Sequence, residues 1–230
     1  MRIGLLSDAH GNIEAFEYAV ALLSSSDIDA TYYLGDSVGY IPGPEVVSSL
    51  ERLDVTPILG NHEHMLLNND YSSTDDDAYQ LSNTRASMSN SMLRYVRSWP
   101  IKLQIEFAER IVIMVHGSLA DPVRGYVYPD TELNDISSET PVTVFMGATH
   151  RPFARKIGNT SYINVGSCGL PRDSGDMGSA VLYEVELDHA RILRFEIGEL
   201  SSHALSRVGH VHQVVRETLD RRGPFEGEVV

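Results

Sequence analysis

The sequence contains very little cysteine, and this shortage limits where the protein is expected to work. Its 230 residues include one cysteine, Cys168, so no disulfide can form within the chain. Proteins of oxidising compartments often depend on disulfides, so a lone thiol fits a reducing compartment. We therefore expect a cytoplasmic protein.

Basic residues are also scarce. Lys and Arg number 18 against 32 Asp and Glu, which gives a formal net charge of −14. Proteins that bind nucleic acid gain affinity by neutralising phosphates with Lys and Arg, and a negative surface repels a polyanion. The composition argues against long nucleic acid as a partner or substrate.

Long hydrophobic runs are missing as well. The run "RIGLL" (2–6) stops at Ser7 and Asp8. No later run approaches the ~20 apolar residues that a membrane span needs. We expect neither a membrane span nor a targeting segment.

What the sequence does contain is a series of short apolar runs that end in polar loops. With 42% hydrophobic residues, the chain can bury one sizeable core, and we predict a single domain over residues 1–230. Strand and helix patterns alternate, residues 76–98 have a helical pattern, and residues 200–230 form a polar extension with a short helical pattern near 210–221. These patterns predict an α/β fold.

Side chains able to bind metals stand at the ends of five of these runs. They are Asp8 with His10, Asp36, Asn61 with His62, His116, and His150. In α/β sheets, ligand sites form where loops at the carboxyl ends of several strands converge. We expect these side chains to meet at one edge of the fold.

The residue types in this set predict a divalent-metal site. Imidazole suits Zn, Fe or Ni, and carboxylate and amide oxygens suit Mn or Mg. A two-metal site needs a carboxylate that bridges ions ~3.5–4 Å apart, and Asp36 is the natural bridge.

Five motifs resemble the signature blocks of a known family in order and spacing. They are "DAHGN" (8–12), "GDSVGY" (35–40), "GNHE" (60–63), "VHGS" (115–118) and "GATH" (147–150). The set resembles the calcineurin-like metallophosphoesterases over roughly residues 1–196. The segments "THRPF" and "INVGSCGLPRD" are similar to the small bacterial and archaeal branch of phosphodiesterases and diadenosine-tetraphosphatase-like enzymes.

The resemblance implies a fold, a metal centre and a reaction. The implied fold has two mixed β-sheets packed face to face as a sandwich, with helices outside. The implied ligands of the first ion are Asp8, His10, His150 and the bridging Asp36, and those of the second ion are Asp36, Asn61 and His116. His62 is implied to donate a proton to the leaving oxygen or to stabilise the transition state, and a metal-activated hydroxide to attack phosphorus.

The last motif departs from the family pattern Gly-His-x-His. Ala148 stands where the first His would bind the second ion, so that site lacks one ligand. Three alternatives follow: a weak ion completed by water, a site that stays empty until substrate supplies an oxygen, or replacement by another histidine such as His189 or His210. Hydrolysis with a single ion is also consistent with the sequence.

Three arginines are candidates for binding a substrate phosphate, namely Arg124, Arg151 and Arg172. A guanidinium group can contact two phosphate oxygens at once. Arg151 directly follows His150, and Arg172 lies in "GLPRD". We predict that Arg151 and Arg172 bind substrate together with Asn61 and His62.

The predicted activity is divalent-metal-dependent hydrolysis of a small phosphate ester, either a phosphodiester or a nucleotide. The alternative is a non-catalytic phosphate- or nucleotide-binding relative that lost its second ion with the ligand at position 148. Tyr40, Tyr126 and Tyr128 can stack a nucleobase or cover loops, and we favour the covering role. A homodimer is a further expectation.

Overall fold

The computed structural model describes residues 1–107, 109–136 and 138–230. Within them the strands are β1 Arg2–Leu6, β2 Ala30–Tyr33, β3 Thr56–Pro57, β4 Lys102–Phe107, β5 Arg110–Val115, β6 Val142–Met146, β7 Phe153–Ile157, β8 Thr160–Asn164, β9 Met177–Glu184, β10 His189–Glu196 and β11 Glu228–Val229. The helices are α1 Ile13–Ser24, α2 Glu45–Arg52, α3 Asn61–Asn68, α4 Ser73–Tyr79, α5 Leu81–Ser87, α6 Asn90–Arg97, α7 Gly198–Ser206 and α8 Gln213–Asp220.

The strands form two mixed sheets, as the sequence predicts. The first has the order β11-β10-β9-β1-β2-β3, and the second has the order β4-β5-β6-β8-β7. Strands β1, β2 and β3 run parallel in the first sheet, and β5, β6 and β8 run parallel in the second. The carboxyl ends of these parallel strands carry the loops that hold the predicted metal ligands.

A core of apolar side chains lies between the two sheets. Strands β1 and β9 supply Leu5 and Val181 from the first sheet, and the second sheet supplies Met114 and Phe145. All four side chains are fully buried. Burial of apolar surface at ~25 cal/mol per Å² is the main force that holds the sheets together.

The helices pack on the outer face of the first sheet, in agreement with the predicted sandwich flanked by helices. Side chains from α1, α2, α7 and α8 join those of the first sheet in one cluster. The outer face of the second sheet is instead covered by the segment after β5, which contributes Val127 and Leu133. That segment contains no helix or strand among its described residues.

The helical pattern over residues 76–98 corresponds to three short helices rather than one. Gln80 has a left-handed backbone with φ of 54°, which ends α4 before α5 begins. Met88 is extended, and the Ser89 side chain accepts a hydrogen bond from the N–H of Met92 to start α6.

The C-terminal extension contains two helices rather than one. Helix α8 matches the predicted pattern near 210–221, and α7 precedes it without a corresponding prediction. Helix α7 packs against α1, where Asn12 Nδ2 donates to Ser201 Oγ at 2.9 Å. In the described part of the chain, no helix combines the length and apolar character that crossing a membrane requires.

Candidate metal centre

The predicted ligands come together at the carboxyl ends of four parallel strands. Asp8 and His10 follow β1, Asp36 follows β2, His116 follows β5 and His150 follows β6, while Asn61 and His62 begin α3. Every one of these side chains except Asn61 is buried. Residues from both sheets therefore build one site, as expected from the sequence.

Strained backbone accompanies the site. Asp8, His10, Asp36 and His150 have φ of 58°, 48°, 59° and 57°, in the left-handed region that non-glycine residues seldom occupy. Ala148 has φ of 63°. Such conformations cost ~1–3 kcal/mol each and persist mainly at functional sites, where the surrounding structure holds them.

A first ligand group consists of Asp8, His10 and His150. Nε2 of His10 lies 3.0 Å from Nε2 of His150, and Nε2 of His150 lies 3.2 Å from Oδ1 of Asp8. No hydrogen-bond partner for this Asp8 oxygen exists among the described residues, although it is buried. A buried carboxylate oxygen without a donor is costly unless a cation satisfies it.

Backbone carbonyls orient the imidazoles of the site. The contacts join Nδ1 of His10 to Val38 O at 3.0 Å, Nδ1 of His116 to Leu34 O at 2.7 Å and Nδ1 of His150 to Leu170 O at 2.6 Å. A carbonyl only accepts hydrogen bonds, so each Nδ1 carries a proton. In the neutral rings each Nε2 then presents its lone pair to the site, which is the arrangement of metal-binding histidines.

Asp36 links the first group to a second one. Its Oδ2 lies 3.7 Å from Nε2 of His10 and 3.3 Å from Nε2 of His116. Nε2 of His116 is in turn 2.9 Å from Oδ1 of Asn61. This geometry suits a carboxylate shared between two ions, with Asn61 and His116 on the second side.

The electrostatics of the site favour a bound cation. Burial lowers the pKa of His10 well below its usual range, and the neighbouring His62 and His150 lower it further. Burial alone would raise the pKa of Asp36, but His116 and His62 hold it well below the usual carboxyl range. Burial also opposes a charged His116, yet Asp36 outweighs this and raises the pKa of His116 to about 10. The second ligand group therefore stabilises a positive charge. A metal ion that displaced the extra proton of His116 would supply this charge.

The donor set therefore fits a divalent metal centre. Three groups of side chains have ligand atoms within 4.8 Å of one another: Asp8, His10 and His150; His10, Asp36 and His62; and Asp8, Asp36 and His116. All of these residues belong to the set predicted from the sequence.

Ala148 supplies no side-chain donor to the second group. Its N–H donates to Oδ2 of Asp8 at 3.2 Å, and its methyl group lines the cavity. Neither proposed replacement lies in the ligand groups: His189 is exposed and pairs with Glu184, at the end of the sheet opposite the site, and His210 is exposed between α7 and α8. In this structure, therefore, neither histidine supplies the second-ion ligand that is missing at position 148.

His62 lies beside the ligand groups and faces the same cavity. Its Nε2 is 3.9 Å from Oδ2 of Asp36, and its ring contacts those of Tyr40 and Tyr79. Burial lowers the pKa of His62 to about 4. Gly39, with φ of 96°, leaves space for this ring, since a Cβ there would collide with Nδ1 of His62.

A cavity of about 320 Å³ opens over the centre. Its lining consists of Asp36, Tyr40, Asn61, His62, Tyr79, Tyr126, Tyr128, Ala148, His150 and Arg172. Nη2 of Arg172 donates to the hydroxyl of Tyr40 at 3.0 Å. Arg151 instead lines a separate cleft with Pro129 and Phe225, and Arg124 pairs with Asp70. The structure thus places Arg172, but neither of the other two arginines, at the cavity.

Glu63 supports the site, although the sequence analysis does not single it out. Its buried carboxylate accepts hydrogen bonds from the N–H groups of Asp36 at 2.8 Å, Ser37 at 2.6 Å and Gly60 at 2.9 Å. Glu63 lies in the first turn of α3. Through these bonds Glu63 also fixes the loop that carries Asp36. Its position in "GNHE", beside two predicted site residues, is the signal that could have identified it.

The fold and the ligand groups together define an α/β protein with a candidate divalent-metal centre at the edge of its sheets. The model of the calcineurin-like phosphoesterase superfamily domain matches residues 1–188, and the chain belongs to this family. The family predicted from the five motifs is thereby confirmed.

Individual proteins are similar over most of the chain. An uncharacterized protein of Methanocaldococcus jannaschii is 27% identical over 214 residues, which cover 84% of this chain and 87% of that protein. The crystal structure of a metallophosphoesterase from Sphaerobacter thermophilus is similar with a TM-score of 0.74 and 23% identity, covering 95% of this chain and 98% of that one. A hypothetical protein from Pyrococcus horikoshii OT3 has a TM-score of 0.79 and 18% identity, covering 96% and 99%.

Proposed function

We propose that this protein is a divalent-metal-dependent hydrolase of small phosphate esters. The observation that supports this most directly is the pair of buried ligand groups joined by Asp36 at the wall of a cavity that also contains Arg172. A phosphate needs positive charge on several of its oxygens, and metal ions together with a guanidinium provide it.

The ligands would divide between two ions in the way that their contacts suggest. Asp8, His10 and His150 would hold the first ion with Asp36, and Asp36, Asn61 and His116 would hold the second. When bound, divalent ions polarise the phosphoryl group and activate water for attack on phosphorus. The second ion is expected to bind more weakly, because Ala148 adds no ligand.

Three side chains of the cavity would act on the substrate itself. Arg172 would bind the non-reacting phosphate oxygens, and its hydrogen bond to Tyr40 holds it in place. His62 would donate a hydrogen bond to the phosphate or to the leaving oxygen, and the amide of Asn61 would orient the phosphate. Arg151 lies in another cleft and is not included in this proposal.

A phosphodiester or a nucleotide is the substrate class that we favour. The formal charge of −14 makes a long polyanion a poor ligand, whereas a small ester meets only the local charge of the cavity. The cytoplasmic location and the homodimer stay predictions.

Ala148 favours one second candidate, a non-catalytic protein that binds phosphates or nucleotides. Such a protein would keep the first ion and Arg172 but would not hydrolyse an ester. Metal content and turnover together separate this candidate from the enzyme.

The test is elemental analysis of protein purified without chelator, together with hydrolysis of bis-p-nitrophenyl phosphate in Mn²⁺. Turnover that disappears in Asp36→Asn with loss of metal supports the proposal, and Asp54→Asn on the exposed surface is the matched control. Bound metal without turnover at millimolar Mn²⁺ would contradict an enzyme and support the binding protein.

A second variant tests the role of His62. His62→Ala should retain metal and lose ~10²-fold or more in rate, as expected when a donor to the reacting group is removed. An unchanged rate would show that His62 only packs against the tyrosines.

A further inference from the structure

The outer wall of the cavity is built from tyrosines, which a site for phosphate alone would not need. Tyr40 and Tyr79 form the inner part of this wall, where their rings pack against His62. Tyr126 and Tyr128 form the outer part and remain 50% and 41% exposed. We name these last two residues the tyrosine platform.

The geometry of the tyrosine platform suits a flat ligand. The rings of Tyr126 and Tyr128 are stacked with each other, with an angle of 17° between their planes and centroids 6.3 Å apart, so that a planar group can extend the stack on an exposed face. Aromatic faces stack on planar groups. A nucleobase that stacks on one aromatic ring contributes measurably to affinity, whichever base it is. Both rings border the space over His150 and Arg172.

The loop that carries the platform is anchored and not merely exposed. Val127 lies between the two tyrosines and is buried against the outer face of the second sheet. The turn directly before the platform is fixed by hydrogen bonds from Gly117 N–H to Pro122 O at 2.7 Å and from Gly125 N–H to Asp121 O at 3.0 Å. With Val127 fixed inward, its two neighbours are held on the opposite side of the backbone, facing the cavity.

We infer that the tyrosine platform binds a planar nucleobase whose phosphate lies over the metal centre beside Arg172, so that a nucleotide is the preferred ligand. This inference rests on the proposed function and makes its substrate class specific. The favoured interpretation of the sequence, that Tyr126 and Tyr128 only cover loops, does not account for two parallel rings exposed at the cavity.

The test compares two ligands that differ only in the base. Calorimetric titration of the full chain in Mn²⁺ gives the Kd of AMP and of ribose 5-phosphate. We expect AMP to bind about 10-fold more tightly, within the range measured for stacking of one base. Equal Kd values for the two ligands would overturn the inference.

Matched variants assign the preference to the platform. Replacing both tyrosines by leucine removes the flat rings but keeps apolar bulk, and should make AMP and ribose 5-phosphate bind alike. Replacing both by phenylalanine keeps the rings and should keep the preference, as should Tyr18→Leu, which changes a 43% exposed tyrosine in another cleft. A preference that survives the double leucine variant would overturn the inference.

Hydrolysis of methyl p-nitrophenyl phosphate, which has no base, tests the proposed function separately. Turnover of this ester with equal binding of AMP and ribose 5-phosphate would overturn the platform and leave the hydrolase intact. Preference for AMP without turnover of any ester would support the platform and contradict the hydrolase.

Discussion

Nε2 of His10 and Nε2 of His150 lie 3.0 Å apart, and in the neutral rings neither nitrogen carries a proton. The Nδ1–H of His10 donates a hydrogen bond to the carbonyl of Val38, and the Nδ1–H of His150 donates one to the carbonyl of Leu170. Two lone pairs therefore face each other beside Oδ1 of Asp8, which has no donor among the described residues. A cation turns this repulsive arrangement into an attractive one.

The first prediction is that divalent metal raises the melting temperature of the metal-free chain. A ligand at 100 times its Kd stabilises the folded state by about 2.7 kcal/mol. For a chain of this size that corresponds to about 5–10 °C. Differential scanning calorimetry of chelator-treated protein, with and without Mn²⁺ or Zn²⁺, measures the shift.

Two histidine variants make this prediction specific. His10→Ala should lose most of the shift, and His189→Ala, in an exposed position at the opposite end of the sheet, should keep it. An equal shift in both variants would show that the metal binds elsewhere.

The second prediction concerns the missing ligand at Ala148. Ala148→His should raise the affinity for a second ion, because it adds an imidazole at the wall of the cavity that Asp36 also lines. Isothermal titration with Mn²⁺ should then resolve two tight sites per chain. Ala148→Gly is the control, since it relaxes the backbone at φ of 63° without adding a ligand. Identical titrations for all three proteins would mean that position 148 does not face the second ion.

The convergence of the candidate ligands could be predicted because each of them follows an apolar run. Asp8, Asp36 and His116 needed only the rule that the carboxyl ends of parallel strands share an edge. The same rule fails for Arg151, because one step along the chain past His150 turns the side chain into a different cleft.

Other features depend on contacts that no local pattern records. Tyr79, the last residue of α4, contacts His62, and α4 ends there at a left-handed Gln80 where the sequence predicts continuous helix. Likewise, the outer face of the second sheet is covered by a loop around Val127, which no local pattern in the sequence indicates. Tertiary packing decides both outcomes.

The third prediction is that Glu63→Gln destabilises the fold and weakens metal binding. Oε2 of Glu63 accepts N–H groups from Asp36 and Gly60, and Oε1 accepts those of Ser37 and Val38. A glutamine would place an NH₂ group against two of these donors. We expect the free energy of unfolding in urea to fall by about 2 kcal/mol.

A control and a second readout complete that test. Glu51→Gln, in an exposed position of α2, should leave both stability and Mn²⁺ affinity unchanged. If Glu63→Gln matched the control in stability, the carboxylate would not be the group that holds the Asp36 loop.

The fourth prediction concerns Asp188, in the turn between β9 and β10 at the end of the fold opposite the metal centre. Its carboxylate joins the two sheets, since Oδ1 lies 3.0 Å from Nη1 of Arg110 and Oδ2 lies 3.0 Å from Nζ of Lys156. The hydroxyls of Tyr183 and Thr143 donate to the same carboxylate, at 3.0 and 3.2 Å. Removing one partner of a largely buried ion pair is costly, and we expect Asp188→Asn to destabilise the fold by about 3 kcal/mol at pH 7.

The pH dependence of this loss distinguishes a charge effect from altered packing. Burial opposes ionisation of Asp188, but Lys156 and Arg110 outweigh it and lower the carboxyl pKa. A lowered folded-state pKa gives stability that is present above the ordinary carboxyl pKa of ~3.9 and is lost as pH falls through the folded-state value. The difference in unfolding free energy between the native chain and Asp188→Asn should therefore be constant near neutral pH and shrink below about pH 4. The exposed Asp54→Asn should show no such difference at any pH, and a gap for Asp188→Asn that persisted at pH 3 would assign its effect to packing rather than to the ion pair.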